Sequence, residues 1–386
     1  METKKRIEEH LNMICGEIGP RPTGSQANNE AVAYVYNELN KFGLNVIKQE
    51  FDCMDWKSHE GLLKANEVEL IVMPAPYSLP CNVTGEVIYI HSIQELKEKT
   101  IEGKIVVLCD EIASEPLMPK GFVFWNPDEH KEIISLLENS KILAVLTVSL
   151  SLESYTPMIE DGDFMVPCGI ILSRNLKQLE GCSKVNVRID AKRIPIKAAN
   201  VIATYGSGDL KVCISAHIDT KPSTPGALDN ASGVSVLLAL AEKVVGEKLP
   251  YKLEFVFFNG EDYYSNPGEM LYLNTYLNNP EEYICAYNID GVGLKEKNTT
   301  YSFYECTEEL SKSISSHAKE LKFELIEPWL QGDHTLFSFS GVPAIAITSS
   351  SIFEMVDNVL HTNKDTLDLI DTEKLESLVN FLSSTI

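Results

Sequence analysis

The fold is decided by residues 211–290, where strand-like and helix-like segments alternate. The stretch opens with KVCISAHID (211–219) and continues with PGALDNASGVSVLLALAEKVV (225–245), KLEFVFFNGED (252–262) and YICAYNID (283–290). Three of these segments are short apolar runs typical of buried strands, and the second has the length and composition of a helix. Because apolar strands alternate with a helix, the stretch predicts a sheet whose strands are largely parallel.

Polar side chains stand where these three strands end. The strand ends carry, in chain order, His217 with Asp219, Glu261 with Asp262, and Asp290. Ligands of open α/β sheets collect just outside the carboxyl ends of parallel strands, and those ends meet at one edge of the sheet. We therefore expect these imidazole and carboxylate groups to lie together.

After Ala198, strand-like and helix-like segments continue to alternate. Its nearly continuous apolar strands require a sheet that is covered on both faces. The helix at 232–245 is apolar almost all round, which predicts that it is buried. Further helices are predicted at 308–322 and from Asp371 onward. The expected fold class is α/β, with a mixed, mostly parallel central sheet and helices on both faces.

The part of the chain before this region begins with helical segments and continues with short strands. Helical periodicity at 3–17 and 26–42 is interrupted by GPRPTGS, whose proline and glycine content excludes a helix. Short strands then follow one another, with only two short helices between them. We predict that residues 1–56 and 195–386 form one domain in two segments, and that 57–194 form a β-rich inserted domain.

The chain is acidic, with 33 Lys and Arg against 56 Asp and Glu and a formal net charge of -23. Nucleic acid and anionic membrane surfaces would be repelled, and no basic run offers a local exception. We therefore expect neither as a partner. The sequence carries no signal for the oligomeric state.

Features of the chain also indicate its compartment. The amino terminus lacks the apolar run and cleavage site of a signal peptide, and no uncharged apolar stretch reaches the roughly 18 residues of a transmembrane helix. The nine cysteines form no CxxC pair, and several lie in apolar strands, which is typical of reduced thiols. A soluble, cytoplasmic protein is expected.

Each polar group also has an ordinary structural explanation. A His-x-Asp at a strand end is common, an aspartate just before an apolar helical run is by default an N-cap, and acidic residues beside glycine are frequent in turns. The histidine of LHTNKD (360–365) fits any loop. These explanations do not account for similar groups at successive strand ends. The groups concerned are His217, Asp229, Glu261, Asp262, Asp290 and His361.

Such a set of side chains suits two metal ions. Two divalent cations roughly 3.5 to 4 Å apart need a bridging carboxylate, with imidazole and carboxylate ligands on each side, and such sites occur in aminopeptidases. Water bound to a metal ion falls in pKa from 15.7 to roughly 7. One carboxylate must stay off the metals to act as a base, and adjacent acids suit this because neighbouring side chains diverge.

The same residues resemble the co-catalytic dizinc aminopeptidase family, which includes bacterial leucyl aminopeptidase and zinc peptidases similar to aminopeptidases Y and S. The motifs HID, DNASG, GED, NID and HTNKD stand in the family's order, and GPRPTGSQANNEAVAYVYNELNKFGLNV and GDHTLFSFSGVPAIAI are similar to its other segments. The resemblance covers about 1–55 and 195–386. It implies the zinc exopeptidase fold and makes the two-segment domain the catalytic one.

The resemblance implies a metal ligand at each matching motif. His217, Asp229 and Asp290 would bind one ion, and Asp229, Asp262 and His361 would bind the other, so that Asp229 bridges the two. Two divalent ions per chain are implied; Zn²⁺ is expected, with Co²⁺ or Mn²⁺ as alternatives. The family often has a cis peptide bond after the bridging aspartate, and the same is expected here.

The resemblance also implies roles beside the metals. Glu261 would be the general base that takes a proton from the bridging water and delivers it to the leaving amine. Asp219 would orient His217 through its other ring nitrogen, as imidazole ligands usually require. Asp365 is a weaker candidate for a similar role.

The sequence departs from the family's pattern in two places. The metal-binding acid after the base is usually Glu, whereas Asp262 is one methylene shorter, which puts the strength or identity of that metal in question. YYSNPGEMLY (263–272) replaces the more usual Gly-Leu-x-Gly-Ser run. Asp333 and His334 fall where the family lines its site, and substrate contact or helix capping would each explain them.

The strands of the insert resemble a protease-associated domain, with a β-rich insertion of another kind as the alternative; either would overhang the site and restrict which peptides enter. The first hypothesis for function is a dimetal exopeptidase that removes amino acids from free peptide amino termini. A carboxypeptidase, dipeptidase or glutaminyl cyclase on the same scaffold is the second, the cyclase being disfavoured because both metal sites look complete. A non-catalytic binding protein is the third, although it would have lost ligands that are present here.

Overall fold

The computed structural model describes residues 2–122, 126–149, 155–179 and 181–386. The helices are α1 (Glu2–Leu11), α2 (Gln26–Phe42), α3 (Ile93–Glu98), α4 (Asp128–Asn139), α5 (Ser173–Leu176), α6 (Ser232–Val244), α7 (Pro267–Tyr276), α8 (Glu308–Glu320), α9 (His334–Phe339) and α10 (Thr372–Thr385). The strands are β1 (Asn45–Ala65), β2 (Val68–Pro74), β3 (Cys81–Ile90), β4 (Ile105–Leu108), β5 (Ala144–Ser149), β6 (Cys168–Leu172), β7 (Lys184–Gly206), β8 (Lys211–His217), β9 (Lys252–Phe258), β10 (Tyr283–Ile289), β11 (Thr299–Tyr304), β12 (Glu324–Leu325) and β13 (Ala344–Ser349). No helix within the described ranges has both the length and the apolar character needed to cross a bilayer.

These elements form two compact units. The first consists of Met1–Cys53 and Ile196–Ile386, and the second of Met54–Pro195. The chain passes from one unit to the other within β1 and again within β7. The relation of the second unit to protease-associated domains stays a prediction.

The first unit is built on a mixed sheet in the order β7-β9-β8-β10-β13-β11-β12. The four strands β9, β8, β10 and β13 are parallel to one another. At the flanks, β7 is antiparallel to β9, and β11 is antiparallel to β13. The central parallel strands are buried along almost their whole length, as their apolar sequences predict. The predicted α/β fold with a mixed, mostly parallel sheet is confirmed.

Helices cover both faces of this sheet. Successive residues of a strand point to opposite faces, and in β9 Phe255 and Phe257 belong to the core cluster that contains α6. Phe258 instead contacts Tyr272 of α7 and Phe337 of α9, with ring centroids 5.2 and 6.3 Å apart. Burying each of these phenylalanines stabilises the fold by roughly 1.5 to 3 kcal/mol. α6 packs on β8 and contacts α1, α2 and α10, which accounts for its apolar sequence.

Local sequence sets the ends of α2 but not the start of α6. Ser25 caps α2 by accepting a hydrogen bond from the Asn28 N–H at 3.1 Å, and Gly43 ends it with a φ of 87°. Asp229 does not cap α6. It lies in the π-helical turn Ala227–Ala231 before the helix, where its backbone is not helical. The N-cap explanation for Asp229 is therefore wrong.

The second unit has its own mixed sheet in the order β1-β2-β6-β5-β4-β3-β7. Strands β3, β4, β5 and β6 are parallel, and antiparallel strands flank them. Both faces of the sheet are buried, since Val106 and Leu108 of β4 belong to one core cluster and Ile105 and Val107 to another. The helices α3 and α4 contact each other.

Candidate active site

The parallel strands of the first unit bring the predicted residues together. His217 is the last residue of β8, and Asp290 directly follows β10. Glu261 and Asp262 follow β9 after a two-residue turn. Because β9, β8 and β10 are parallel neighbours, these residues leave the sheet at one edge.

Asp229 lies between two histidines. Its Oδ1 is 3.0 Å from Nε2 of His217, and its Oδ2 is 3.2 Å from Nε2 of His361. Asp290 adds an oxygen 3.5 Å from the His217 nitrogen, and Asp262 adds one 3.5 Å from the His361 nitrogen. The structure thus forms two groups of possible ligand atoms that share Asp229, and each contains the residues that the resemblance implies.

Two buried atoms show that neighbouring side chains do not satisfy this cluster. Nε2 of His217 and Oδ2 of Asp262 are buried and have no hydrogen-bond partner in the described part of the chain. The contact of 3.0 Å between His217 and Asp229 brings a nitrogen and an oxygen together without hydrogen-bond geometry. Buried polar atoms normally have a partner, and imidazole with carboxylate is a donor set that zinc accepts. The residues present therefore fit divalent ions.

The site concentrates negative charge away from water. Burial raises the pKa of Glu261 to about 8, and the carboxylates of Asp290 and Asp229 add to the rise. Burial and Asp229 hold the pKa of Asp262 well above its ordinary value. Burial opposes protonation of His361, yet Asp229 and Asp262 raise its pKa to about 9. Cations bound among these carboxylates would offset their mutual repulsion.

Asp219 organises the backbone around the ligands. Nδ1 of His217 lies 3.2 Å from the Asp219 carbonyl oxygen and 3.8 Å from its carboxylate. The carboxylate accepts hydrogen bonds from the Thr23 hydroxyl at 2.7 Å, the Gly260 N–H at 2.8 Å and the Asp262 N–H at 3.1 Å. Asp219 therefore meets His217 mainly through its backbone, and its side chain fixes the turn after β9.

Among the described residues, Asp365 supports the backbone of Asp229 and not a histidine. Its carboxylate accepts hydrogen bonds from the Leu228 N–H at 2.8 Å and the Asp229 N–H at 3.0 Å. The Asp229–Asn230 peptide bond is cis, as expected. The Asn230 amide donates to the Ile289 carbonyl at 2.8 Å, which ties this turn to the end of β10.

Asp333 and His334 stand at the start of α9. Asp333 precedes the helix, but its side chain forms no capping hydrogen bond with the described residues, so the capping explanation is wrong. Burial, Glu269 and Glu261 hold the pKa of Asp333 well above its ordinary value. Nε2 of His334 donates to the Trp329 carbonyl at 3.0 Å. Substrate contact by either residue stays a prediction.

The region that contains the candidate ligands is similar to known proteins. Residues 200–386 match the sequence profile of Peptidase family M28. In this region the chain is similar to Peptidase family M28. Aminopeptidase YwaD of Bacillus subtilis (strain 168) is 21% identical to this chain over 401 residues, which cover 99% of this chain and 84% of that protein.

Two solved structures share the fold of this chain. An aminopeptidase from Aneurinibacillus sp. strain AM-1 matches with a TM-score of 0.77 and 20% identity, covering 99% of this chain and 92% of that one. BSAP, a zinc aminopeptidase from Bacillus subtilis, matches with a TM-score of 0.78 and 19% identity, covering 99% and 94%. At these identities the likeness establishes the fold alone.

Proteins named for other reactions are also similar to this chain. Carboxypeptidase Q of Rattus norvegicus is 21% identical over 409 residues, covering 96% of this chain and 82% of that protein. A glutaminyl cyclase from Porphyromonas gingivalis matches in structure with a TM-score of 0.52 and 16% identity, covering 99% and 95%. These similarities do not decide which reaction the protein catalyses, so the reaction is inferred from the residues of the site.

Sequence reasoning assigned no role to Arg21, which is fully buried. Its only sequence signal was its place in GPRPTGS, a segment similar to the family's opening. Its guanidinium donates hydrogen bonds of 2.6 to 3.1 Å to four backbone carbonyls, those of Gly19, Ile218, Pro225 and Gly226. Three of these carbonyls lie in the segment that leads from β8 to the bridging aspartate. Arg21 therefore holds that segment in place.

Glu269 is a second residue that sequence reasoning missed. It lies in the first turn of α7 and is buried, and burial raises its pKa to about 8. Its Oε1 accepts a hydrogen bond from Asn266 at 3.3 Å, whereas its Oε2 has no partner among the described residues. Its only sequence signal was its place in the YYSNPGEMLY departure from the family pattern.

Proposed function

We propose that this protein is a dizinc aminopeptidase that removes amino acids from the free amino termini of peptides. The observation that carries the proposal is the position of Asp229, which presents one oxygen to His217 and the other to His361. Asp290 completes a set of ligand atoms beside the first histidine, and Asp262 completes one beside the second. A pair of ions needs such a bridge.

The proposal assigns both groups of ligand atoms to ions. His217, Asp229 and Asp290 hold one ion, and Asp229, Asp262 and His361 hold the other. Zinc is the proposed ion because nitrogen and oxygen donors suit it and because BSAP is described as a zinc enzyme; cobalt and manganese are the alternatives. When bound, such ions polarise a carbonyl group and lower the pKa of water.

Glu261 is the proposed general base. The N–H groups of Gly260 and Asp262 both donate to Asp219, so the backbone on each side of Glu261 is fixed. Lys221 donates to the Asp262 carbonyl at 2.9 Å, which adds a third restraint on the turn. A carboxylate held in this way can take the proton of the attacking water and pass it to the leaving amine, as general acid–base catalysis requires.

We also propose which molecules the protein binds and in which compartment it lies. The net charge of -23 supports peptides, and not nucleic acid or anionic membranes, as the molecules that this protein binds. We propose a cytoplasmic location, which the free and partly buried cysteines support. We also propose that the second unit is a protease-associated domain.

A peptide pool tests the function directly. Each peptide is supplied with a free and with an acetylated amino terminus, and the products are read by mass spectrometry with added zinc or cobalt and with chelator. The expected result is loss of single residues from free amino termini only, abolished by chelator. The Glu261→Gln variant, purified in the same way, is the control for contaminating peptidases and is expected to leave the pool intact.

Other outcomes would overturn the aminopeptidase proposal in favour of an alternative. Shortening from the carboxyl end would indicate a carboxypeptidase, which the similarity to carboxypeptidase Q makes the second candidate. Conversion of glutaminyl amino termini with loss of ammonia would indicate a cyclase. No reaction of any peptide by protein that holds two ions per chain would indicate a binding protein.

A further inference from the structure

A second cluster of possible metal ligands lies in the second unit, apart from the residues discussed above. It consists of His91, Cys109 and Asp110, whose ligand atoms all lie within 4.8 Å of one another. Sγ of Cys109 is 3.3 Å from Nδ1 of His91, and the same nitrogen is 2.5 Å from Oδ2 of Asp110. Among the described residues, it is the only such cluster that contains a cysteine.

The strand register of the sheet creates this cluster. β3 and β4 are parallel neighbours with Val87 opposite Ile105 and Ile90 opposite Leu108, and the next residue of each strand is a possible ligand. The Cys109 N–H donates to the Ile90 carbonyl at 3.0 Å and continues the ladder by one step. Residues paired in this way project to the same face of a sheet, so the imidazole and the thiol meet.

The backbone conformation of Asp110 brings its side chain into the cluster. Asp110 has a φ of 59°, a left-handed conformation that few non-glycine residues adopt. The conformation turns the chain sharply after β4, and the carboxylate returns toward His91. The same turn is secured by a hydrogen bond from the Ile112 N–H to the His91 carbonyl at 3.1 Å.

The distances are close to those of a tetrahedral metal site. Bonds of roughly 2.0 to 2.3 Å from zinc to nitrogen, oxygen and sulfur place neighbouring ligand atoms about 3.3 to 3.6 Å apart. The distance of 3.3 Å from Cys109 Sγ to His91 Nδ1 is already within this range. Only the Asp110 carboxylate has to move outward, and its side chain is 70% exposed and free to do so.

A neighbouring acid fixes the backbone without adding a ligand. Oε2 of Glu95 accepts a hydrogen bond from the His91 N–H at 3.0 Å and is also 2.7 Å from Nζ of Lys99. Among the described residues, the cluster offers three possible protein ligands. The His91 side chain is 46% exposed, so water can reach the fourth position.

We propose that His91, Cys109 and Asp110 form a third metal site, for a divalent transition ion of intermediate softness such as Zn²⁺ or Co²⁺. Sulfur, nitrogen and oxygen donors in one site favour these ions over Mg²⁺ or Ca²⁺, which prefer oxygen alone. Binding displaces the thiol proton of Cys109 to solvent, so that one proton is released for each ion bound. The proposal is independent of the reaction at the other site.

Cobalt distinguishes this site from the proposed catalytic one. The full chain is stripped with chelator, dialysed and titrated with Co²⁺ at a pH of about 8, since metal ions compete with protons for thiolates. A thiolate bound to cobalt gives a charge-transfer absorption in the near ultraviolet. His217, Asp229, Asp262, Asp290 and His361 contain no sulfur, so cobalt bound there gives no such band. The expected result is a band that saturates at one ion per chain.

Three variants complete the test. Cys109→Ser is expected to abolish the band, and Cys182→Ser, which removes another thiol of the same unit, is expected to leave it unchanged. His91→Ala changes a half-exposed side chain and is expected to fold. It should weaken cobalt binding at least about 100-fold, because even the residues behind metal ligands are worth 10- to 100-fold.

Any of three results would overturn the proposal. The first is no band from the wild-type chain at saturating cobalt, which would leave an ordinary surface pair of His91 and Asp110 beside a thiol. The second is a band that persists in folded Cys109→Ser. The third is wild-type cobalt affinity in His91→Ala.

Discussion

Replacing Arg21 with methionine should destabilise the first unit and weaken its hold on metal ions together. Methionine fills much of the arginine's volume but offers no hydrogen-bond donor. The change therefore removes every hydrogen bond that the guanidinium makes to the segment before the bridging aspartate. It also removes the positive charge that faces the buried carboxylates of Asp219, Asp229 and Asp365.

The magnitude follows from the carbonyls that lose their donor. The carbonyl of Gly226 keeps a partner, because it also accepts from the Ala231 N–H at 3.0 Å. Those of Gly19, Ile218 and Pro225 lose theirs. The Pro225 carbonyl is only partly buried. At about 1 to 3 kcal/mol for each buried group left unsatisfied, the buried carbonyls of Gly19 and Ile218 amount to about 2 to 6 kcal/mol. Domains are typically stable by only about 5 to 15 kcal/mol, so the effect is large.

The assay is urea denaturation in excess chelator, which removes any contribution of bound ions to the free energy of unfolding. Arg6→Met is the matched control. Arg6 is 28% exposed and pairs with three glutamates at 2.6 to 3.3 Å, and such partly exposed pairs are worth about 1 kcal/mol or less each. If Arg21→Met does not fold, Arg21→Lys, which keeps the charge and some donors, is expected to lie between it and the wild type.

Two results would refute the reasoning. One is a loss of less than about 1 kcal/mol in Arg21→Met at an unchanged denaturant slope, since that slope reports the surface exposed on unfolding. The other is a loss no larger than that of Arg6→Met.

Four further changes test other parts of the molecule. Glu261→Gln should keep the fold and both ions while lowering kcat at least about 100-fold; near-normal turnover at the same metal content would exclude Glu261 as the base. Asp229→Ala should lose both ions, counted by elemental mass spectrometry after dialysis, and two retained ions per chain would show that the bridge is misassigned. Asp365→Asn keeps one oxygen that can accept from one of the two backbone N–H groups but turns its amide donor toward the other, so the free energy of unfolding should fall by about 1 to 3 kcal/mol; an unchanged urea midpoint would contradict this. Burial lowers the pKa of His10 from 6.5 to about 4, so the folded state disfavours its charged form, and stability is lost as the pH falls below 6.5 toward 4. The free energy of unfolding of the wild type should therefore fall by about 2 kcal/mol more than that of His10→Asn between pH 7 and pH 5, and parallel pH profiles from urea titrations would refute this.

The candidate ligands at strand ends, His217, Asp262 and Asp290, could be predicted from the sequence because local patterns mark them, whereas the roles of Asp229 and His361 came from the family resemblance. A strand end is visible as the point where an apolar run meets a charged residue, and a parallel sheet then brings such ends together. The residues that support the ligands were not accessible in the same way. Arg21 and Ile218 are 197 positions apart, and Asp365 and Leu228 are 137 apart. No local pattern records contacts of that range.

The fold shows the same division between local and distant causes. α6 was predicted closely because burial on all sides leaves an apolar sequence. α7 was missed because its first turn contains Pro267 and Gly268, which are typical of turns. β11 was missed because TTYSFY lacks a clear apolar alternation, and its pairing with β13 supplies the order. β1 and β7 extend beyond the predicted strands across charged stretches, where pairing outweighs composition.

The supports of the bridging turn come from far along the chain. Thr23 holds Asp219 from the amino-terminal side, and Asp365 holds Asp229 from the carboxyl-terminal side. During synthesis, a chain that has not yet reached residue 365 lacks one of these supports. The proposed metal sites therefore form only after both supports are in place, and a fragment that lacks either Thr23 or Asp365 should bind metal ions less well. Metal binding would then report that both segments of the first unit have folded together.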